Sequence, residues 1–302
     1  ENSTSQFKGK TAIISGGAEG IGLSIAKALG EQQMNVVLAD IDDKNLQKAR
    51  AELESLGVPV LAVSLDVADE LQWQSVAQQA CARFGKVHMV VNNAGVGGDS
   101  GPIESQAKEG WQWALDVNLM GVVFGMKTVV PHIKAAGGGW IVNVASMAGM
   151  SGFPFGGAYN ATKLAVAGLS EGWAMELAPF GIQVAALCPA FVKTRIHLSD
   201  RVRPDDYGDA QRTLLLSEED LDPETASTGI ANAVKNGIDP DVLALRVIES
   251  LRAGDIYIFT HPSYSEVSKQ RYSMIDHCFD NAANSPVVGN IESAPLDPDL
   301  FK

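Results

Sequence analysis

Short apolar runs rich in β-branched residues alternate, almost to the end of the chain, with longer segments whose apolar positions recur every three or four residues. Runs without polar interruption fit strands covered on both faces, and the segments of helical period between them supply the crossovers. The alternation therefore predicts a doubly wound α/β fold, a seven-stranded parallel sheet with helices on both sides. Strands are predicted over 11–15, 35–39, 60–64, 87–92, 140–145, 183–188 and 256–260, and helices over 21–29, 44–56, 71–84, 121–136 and 159–177. Seven strands in one series argue for one sheet and one domain, residues 1–262. The longest interruption, 190–237, is charged and irregular, and a loop of that length inside a compact domain is usually functional. Beyond Pro262 the rhythm stops: a helix is predicted over 264–279, then an extended arm, so that 263–302 forms a C-terminal extension. Val287, Val288, Ile291, Leu296, Leu300 and Phe301 are spaced along that arm as apolar anchors for a groove or a neighbouring subunit.

Charge narrows the choice of partner. Lys and Arg number 23 against 36 Asp and Glu, a net charge of −13, the wrong sign for phosphate backbones or anionic lipid. No nucleic acid and no membrane partner is expected, and no apolar stretch approaches the 18 or so residues of a spanning helix. Cys81, Cys188 and Cys278 are far apart and odd in number, so neither a disulfide framework nor a thiolate zinc site is implied, and the expectation is a soluble, cytoplasmic protein. The five histidines show no helical pairing, so no metal site is expected.

Chemistry begins where the first predicted strand ends. Ser15-Gly-Gly-Ala-Glu-Gly-Ile-Gly22 places Gly16, Gly20, Ile21 and Gly22 in a turn immediately before a helix. Small residues there let backbone approach a pyrophosphate, and the helix N-terminus offers N–H donors; taken alone, the motif equally describes a turn that binds nothing. Asp40, eighteen residues beyond Gly22, stands near the spacing at which an acid accepts from a dinucleotide ribose, although alone it could be a helix cap. Asp40 and Glu19 would both repel the extra phosphate of NADP, so NAD is favoured. Asp66 and Val67 follow the third strand, where an adenine would lie, with a helix cap as the other role of Asp66. Asn92-Asn93-Ala94-Gly95 follows the fourth and suits close packing on a ribose. Tyr159 and Lys163 share one helix face at i and i+4. A phenol is a poor base at neutral pH, and a nearby ammonium favours the phenolate. Ser146 ends the fifth strand at the same sheet edge, and Asn118 precedes the helix leading to that strand.

In this order, Gly16/Gly20/Gly22, Asp40, Asp66, Asn93-Ala94-Gly95, Asn118, Ser146, Tyr159 and Lys163 resemble the shorter, single-domain branch of the short-chain dehydrogenase/reductase family, over residues 8–262. The resemblance implies a Rossmann-like sheet binding a nicotinamide cofactor, with Tyr159 as general acid/base. It further implies that Lys163 lowers the phenol pKa and holds the nicotinamide ribose, Ser146 steadies the carbonyl or hydroxyl, and Asn118 supports a water that carries protons out. Pro189, Val192 and Thr194 match the segment that grips the carboxamide. Ser15 stands where the family usually has Thr, and Ala190 where it usually has Gly. A symmetric homo-oligomer is also implied, a tetramer or else a dimer, with 111–134 and 159–177 at the interface.

Met147, Met150, Phe153, Phe155, Phe191 and Leu198, with 214–216, predict an apolar pocket for a bulky or aromatic secondary alcohol or ketone, their other role being core. Trp111 and Trp113 are expected in packing or at a subunit face, and Arg195, Arg201 and Arg203 in solvated ion pairs. Arg203-Pro-Asp-Asp-Tyr-Gly208, Gly237-Ile-Asp-Pro240 and Tyr257-Ile-Phe-Thr-His-Pro262 resemble bacterial Cα-dehydrogenases of aryl ethers. The expected activity is NAD-dependent hydride transfer with a small-molecule alcohol or ketone. A dinucleotide sensor without turnover is the alternative, disfavoured by the intact Ser146, Tyr159 and Lys163.

Overall fold

Apolar runs such as Thr11–Ser15, with all five residues buried, fold into strands because only a position covered on both faces removes so continuous a surface from water. The structure, a computed structural model, describes residues 6–209 and 232–291. It divides into two units, Glu1–Thr260 and His261–Lys302.

In the first unit β1 (Thr11–Ser15), β2 (Asn35–Asp40), β3 (Val60–Ser64), β4 (Met89–Asn92), β5 (Gly139–Val144), β6 (Ile182–Cys188) and β7 (Tyr257–Phe259) form one sheet in the order β3-β2-β1-β4-β5-β6-β7. All six pairings are parallel, with Ile13 opposite both Val37 and Val90. The order reverses between β1 and β4, which opens a crevice at the carboxyl ends of those strands, where ligands of such sheets bind. The helices are α1 (Gly20–Glu31), α2 (Asp43–Ser55), α3 (Glu70–Phe84), α4 (Lys108–Leu115), α5 (Gly121–Ala136), α6 (Gly157–Leu177) and α7 (Pro240–Ala253). Ile25 and Leu29 of α1, Leu46 and Leu53 of α2 and Val247 and Leu251 of α7 share one buried core with Ile14, Val36 and Leu38 of the sheet.

The sequence pattern missed α4, because Gly110 and the polar residues around it break the apolar period. Trp113 of α4 is fully buried, whereas the Trp111 indole donates to Gln106 Oε1 at 2.8 Å. Between α4 and α5 lies a π-helical turn, Asp116–Met120, which carries Asn118. Such single-turn widenings are frequent at functional sites. The run Lys108–Ala136 is apolar and long enough to span a bilayer by composition alone, yet Trp113, Val122, Val129 and Ile133 spend that character on the core. A second feature without a sequence signal is a buried polar relay: Asn92 Nδ2 donates to Asn143 Oδ1 (2.8 Å), Asn143 Nδ2 to Ser170 Oγ (3.0 Å), and Ser170 to the Val166 carbonyl (2.7 Å). It ties β4 and β5 to α6, the helix that carries Tyr159 and Lys163.

In the second unit a short turn, Pro262–Tyr264, precedes α8 (Ser265–Ala283), which ends four residues later than expected and has no buried residue. The extended arm is corrected from its first residues: 286–290 form turns, since Ser285 Oγ accepts from Val287 N (3.1 Å) and the Ser285 carbonyl from Gly289 N (2.8 Å). Val287, Val288 and Ile291 are exposed in the single chain. Leu296, Leu300 and Phe301 lie outside the described residues, as does 214–216.

Candidate active site

The glycine turn is shaped by close approach of backbones. Gly16 has φ +62°, and a Cβ there would stand 2.8 Å from Ala94 Cα; at Gly22 it would stand 2.2 Å from the Gly16 carbonyl oxygen and 2.6 Å from Asn93 Nδ2. The turn is therefore docked on the Asn93-Ala94 segment. Asn93 Nδ2 donates to the carbonyls of Ser15 (3.0 Å) and Gly16 (2.9 Å), while Ser15 Oγ accepts from the N–H groups of Asn93 (3.0 Å) and Ala94 (3.2 Å). The Ser15 hydroxyl thus does this bracing without the methyl of Thr. Gly22→Ala is expected to cost about 3 kcal/mol, the upper end for overpacking, and to abolish NADH binding. Unchanged melting temperature and fluorescence titration would sink that expectation.

Asp42, Asp69 and Asp239 cap α2, α3 and α7, whereas no side chain caps α1. The α1 N-terminus keeps its amide donors for an anion, as a pyrophosphate site requires. At the end of β2, Asp40 accepts from Ala18 N (3.0 Å) and Asp42 N (2.9 Å), which binds it to the glycine turn. Burial raises its pKa above the ordinary carboxylate value, and the two backbone bonds work against that rise. Asp66 accepts from Ala68 N (2.9 Å) within its own turn; the cap of α3 is Asp69, and the Val67 carbonyl takes the Trp73 indole N–H (3.2 Å).

Two expectations about charge are corrected. Glu19 is not an unpaired negative charge facing the cofactor: Arg195 Nε donates to its Oε2 at 2.6 Å and Arg201 Nη2 to its Oε1. Nor is Arg203 in a solvated pair, for it and Asp99 are 4% and 3% exposed and 2.7 Å apart. The loop after β6 folds over the glycine turn, and a cavity of about 470 Å3 between them is lined by Glu19, Gly20, Lys193, Thr194, Arg195 and His197 among others. The Thr194 methyl lies 3.2 Å from where a Gly20 Cβ would be. Val192 is buried and bridges to Ile238, and the Pro189 carbonyl accepts from Met147 N (2.9 Å), joining this loop to the end of β5.

Ser146, Tyr159, Lys163 and Asn118 converge beside that edge. Ser146 is nearly buried and caps a short turn through Ala148 N (3.1 Å). Tyr159 and Lys163 lie in the first two turns of α6, with Lys163 Nζ 5.6 Å from the phenol ring centroid. Lys163 is buried and donates to the Val144 carbonyl at 2.8 Å; burial lowers its pKa to about 8. Tyr159 departs from the expected lowering by Lys163. Burial raises its pKa above 10, and the opposing influence is a hydrogen bond from Ser146. Asn118 is buried, with Oδ1 accepting from Val96 N (2.8 Å) and Nδ2 donating to Val96 O (3.0 Å) and Thr162 Oγ1 (3.3 Å). A Cβ on Gly95 would touch both Asn118 Oδ1 (3.3 Å) and Lys163 Nζ (3.5 Å), so these groups flank one glycine.

The sequence and the fold are similar to those of known proteins. A family profile described as short chain dehydrogenase matches residues 10–203. The chain belongs to the short-chain dehydrogenase family. It is 32% identical over 270 residues to a C alpha-dehydrogenase of Sphingobium sp. strain SYK-6, covering 89% of this chain and 86% of that one. To a 3-alpha-(or 20-beta)-hydroxysteroid dehydrogenase of Mycobacterium tuberculosis it is 42% identical over 186 residues, 62% of this chain and 70% of the relative. A short-chain dehydrogenase/reductase from Burkholderia phymatum, solved in complex with NAD, superposes with a TM-score of 0.84 at 31% identity, over 97% of this chain and 99% of that one.

Of the apolar residues assigned to the pocket, Met147 is buried and Met150 half-buried, whereas Phe153, Phe155, Phe191 and Leu198 expose large apolar surface. Phe155 adopts φ +63°, a left-handed conformation that costs a bulky residue energy and clusters at functional sites. The Phe153 ring lies 6.4 Å from that of Tyr159, tilted by 53°.

Proposed function

We propose that this protein is an NAD-dependent dehydrogenase of secondary alcohols, working also as a ketone reductase. The observation that carries the proposal is the convergence of Ser146, Tyr159, Lys163 and Asn118 at one sheet edge beside an uncapped helix N-terminus. NAD, when bound, supplies the hydride acceptor. The α1 N-terminus would hold the pyrophosphate, Asp40 the adenosine ribose, Asp66 and Val67 the adenine, and Asn93, Ala94 and Gly95 the wall beside the ribose. Lys163 would hold the nicotinamide ribose, and Pro189, Val192 and Thr194 the carboxamide. Tyr159 Oη takes the proton from the substrate hydroxyl during oxidation and returns it during reduction, with Ser146 steadying the substrate oxygen. Asn118 supports the water through which that proton reaches solvent. A sensor without turnover would need none of these four groups together.

The exposed Phe153, Phe155, Phe191 and Leu198 favour a bulky or aromatic substrate, and the similarity to a C alpha-dehydrogenase and a hydroxysteroid dehydrogenase agrees with that choice. Assaying purified protein with NAD and a panel of aryl and alicyclic secondary alcohols tests the proposal; no turnover of any of them counts against it. With Glu19 neutralised, Asp40 alone carries cofactor choice. NAD should exceed NADP in kcat/KM by on the order of a hundredfold, since like charges in contact cost several kcal/mol, and Asp40→Ala should narrow the gap. Equal values for the wild type would remove Asp40 from that role. We place the enzyme in the cytoplasm as a soluble homo-oligomer. Exposed Leu169 and Met175, and the open space beside Gly168 and Gly172, give α6 a face for a second copy.

A further inference from the structure

The Arg203-to-Gly208 stretch takes no part in the chemistry above, yet its long side chains are anchored with care. Arg203 Nη1 donates to Asp99 Oδ1 at 2.7 Å and Nη2 to the Tyr207 carbonyl at 2.9 Å, while Cζ lies 4.9 Å from the Trp113 ring centroid. Asp200 is the second carboxylate facing it, at 3.8 Å. The Tyr207 hydroxyl donates to Asp116 Oδ2 at 3.0 Å. Burial, and then Asp116, Asp66 and Asp206, push its pKa up to about 12, so it remains a donor at any working pH. Four residues before Arg203, Ser199 Oγ accepts from Gly97 N at 3.0 Å.

Segment 196–207 is thus tied at Gly97, Asp99 and Asp116 as well as at Glu19, and of these Gly97 and Asp116 adjoin Asn118. Gly97 follows Val96, whose N–H and C=O are both held by the Asn118 amide. Asp116 opens the π-helical turn that carries Asn118. From Asn118 the path continues through Thr162, whose hydroxyl donates to the Tyr159 carbonyl at 2.9 Å. Stability alone is a poor reason for the ion pair. Asp99 Oδ2 and Arg203 Nε are buried with no hydrogen-bond partner among the described residues, and an incompletely satisfied buried pair barely recovers its desolvation cost. What it does supply is a fixed geometry.

We propose that Arg203 and Tyr207 are positioning residues: docking of segment 196–207 through Asp99, Asp116 and Gly97 sets the place of Asn118, and so couples that segment to proton transfer. The coupling rests on the dehydrogenase reading above for its consequence in turnover, but not for its mechanics.

Tyr207→Phe keeps the ring and removes only the bond to Asp116; Arg203→Lys keeps the charge and removes the fork. Hydrogen exchange on the full-length, cofactor-free protein should show amides of 96–99 and 116–120 exchanging at least about tenfold faster in Tyr207→Phe, as a lost tertiary anchor lowers local opening energy. With a substrate from the alcohol panel, kcat should fall about tenfold with a larger solvent isotope effect, while KM changes little, the pattern of a loss confined to the transition state. NADH affinity by fluorescence titration should stay within about twofold, since neither substitution alters the Arg201–Glu19 pair through which the segment meets the glycine turn. Faster exchange confined to 196–208, with 96–99 and 116–120 still protected, overturns the proposal. So does an unchanged kcat in both variants of an active enzyme. Should the wild type oxidise no alcohol, the dehydrogenase reading falls, and the exchange experiment still decides the coupling.

Discussion

Tyr159→Phe is expected to lower alcohol oxidation by at least about a thousandfold while leaving NADH binding within about twofold, because general acid/base groups contribute factors of that order. Only one oxygen is lost. The Phe153 ring, 6.4 Å away, and the α6 backbone hold the aromatic plane where it is. A Phe variant retaining more than about a tenth of wild-type kcat would refute the acid/base assignment. The direction of pH dependence follows from the same residue. Burial raises the phenol pKa above 10, so at neutral pH Tyr159 is a proton donor, suited to ketone reduction. Oxidation requires the phenolate, so its kcat/KM should climb on the alkaline side while reduction declines there. The hydrogen bond from Ser146 works against the rise, so Ser146→Ala should move that alkaline limb to higher pH as well as slow turnover. A limb unmoved or displaced to lower pH would contradict the Ser146–Tyr159 bond.

Lys163→Met is expected to destroy turnover and stabilise the cofactor-free protein. The ammonium is buried and its pKa falls from 10.5 to about 8, a displacement equivalent to roughly 3 kcal/mol of lost stability at neutral pH. Its bond to the Val144 carbonyl recovers part of this, about 1 kcal/mol. Met keeps the volume and removes the charge, so a net gain of about 2 kcal/mol is expected near pH 7, the difference between those two contributions. The sign with pH is fixed by linkage: between about 8 and 10.5 the unfolded chain binds the proton more tightly than the folded one. The penalty is therefore fully present below pH 8 and fades as pH rises through that window. Denaturant melts of both proteins at pH 7 and pH 10 check this, the Met variant losing most of its advantage at the higher pH. Equal stability at pH 7 would show that Lys163 is better solvated than its surroundings indicate. The pair of outcomes would mark Lys163 as a group kept at the expense of stability.

The alternation of apolar runs and helical segments was enough to obtain the strands and their parallel sense, since a strand buried on both faces must be apolar throughout and a parallel neighbour needs a crossover. The glycine turn, Asp40, Ser146, Tyr159 and Lys163 were likewise legible, because each sits at a strand end or helix start and is fixed by local geometry. Strand ends shifted by one or two residues, as at β4 and β5, where ladder bonds and not composition set the limit. What escaped the sequence depends on which distant segments meet. Glu19 and Arg201 are 182 positions apart, and Arg203 and Asp99 104, so nothing local tells an ion pair from a solvated charge. The same holds for the relay from Asn92 through Asn143 to Ser170, where each residue alone is an ordinary polar position. The lowered pKa of Lys163 and the raised pKa of Tyr159 arise from burial, which exists only after the layers close. Local sequence, through period, turn and cap, determined the sheet and the order of its chemical groups; the charge, protonation and anchoring of those groups were decided by tertiary packing, because desolvation and ion pairing depend on neighbours that the chain brings together only when folded.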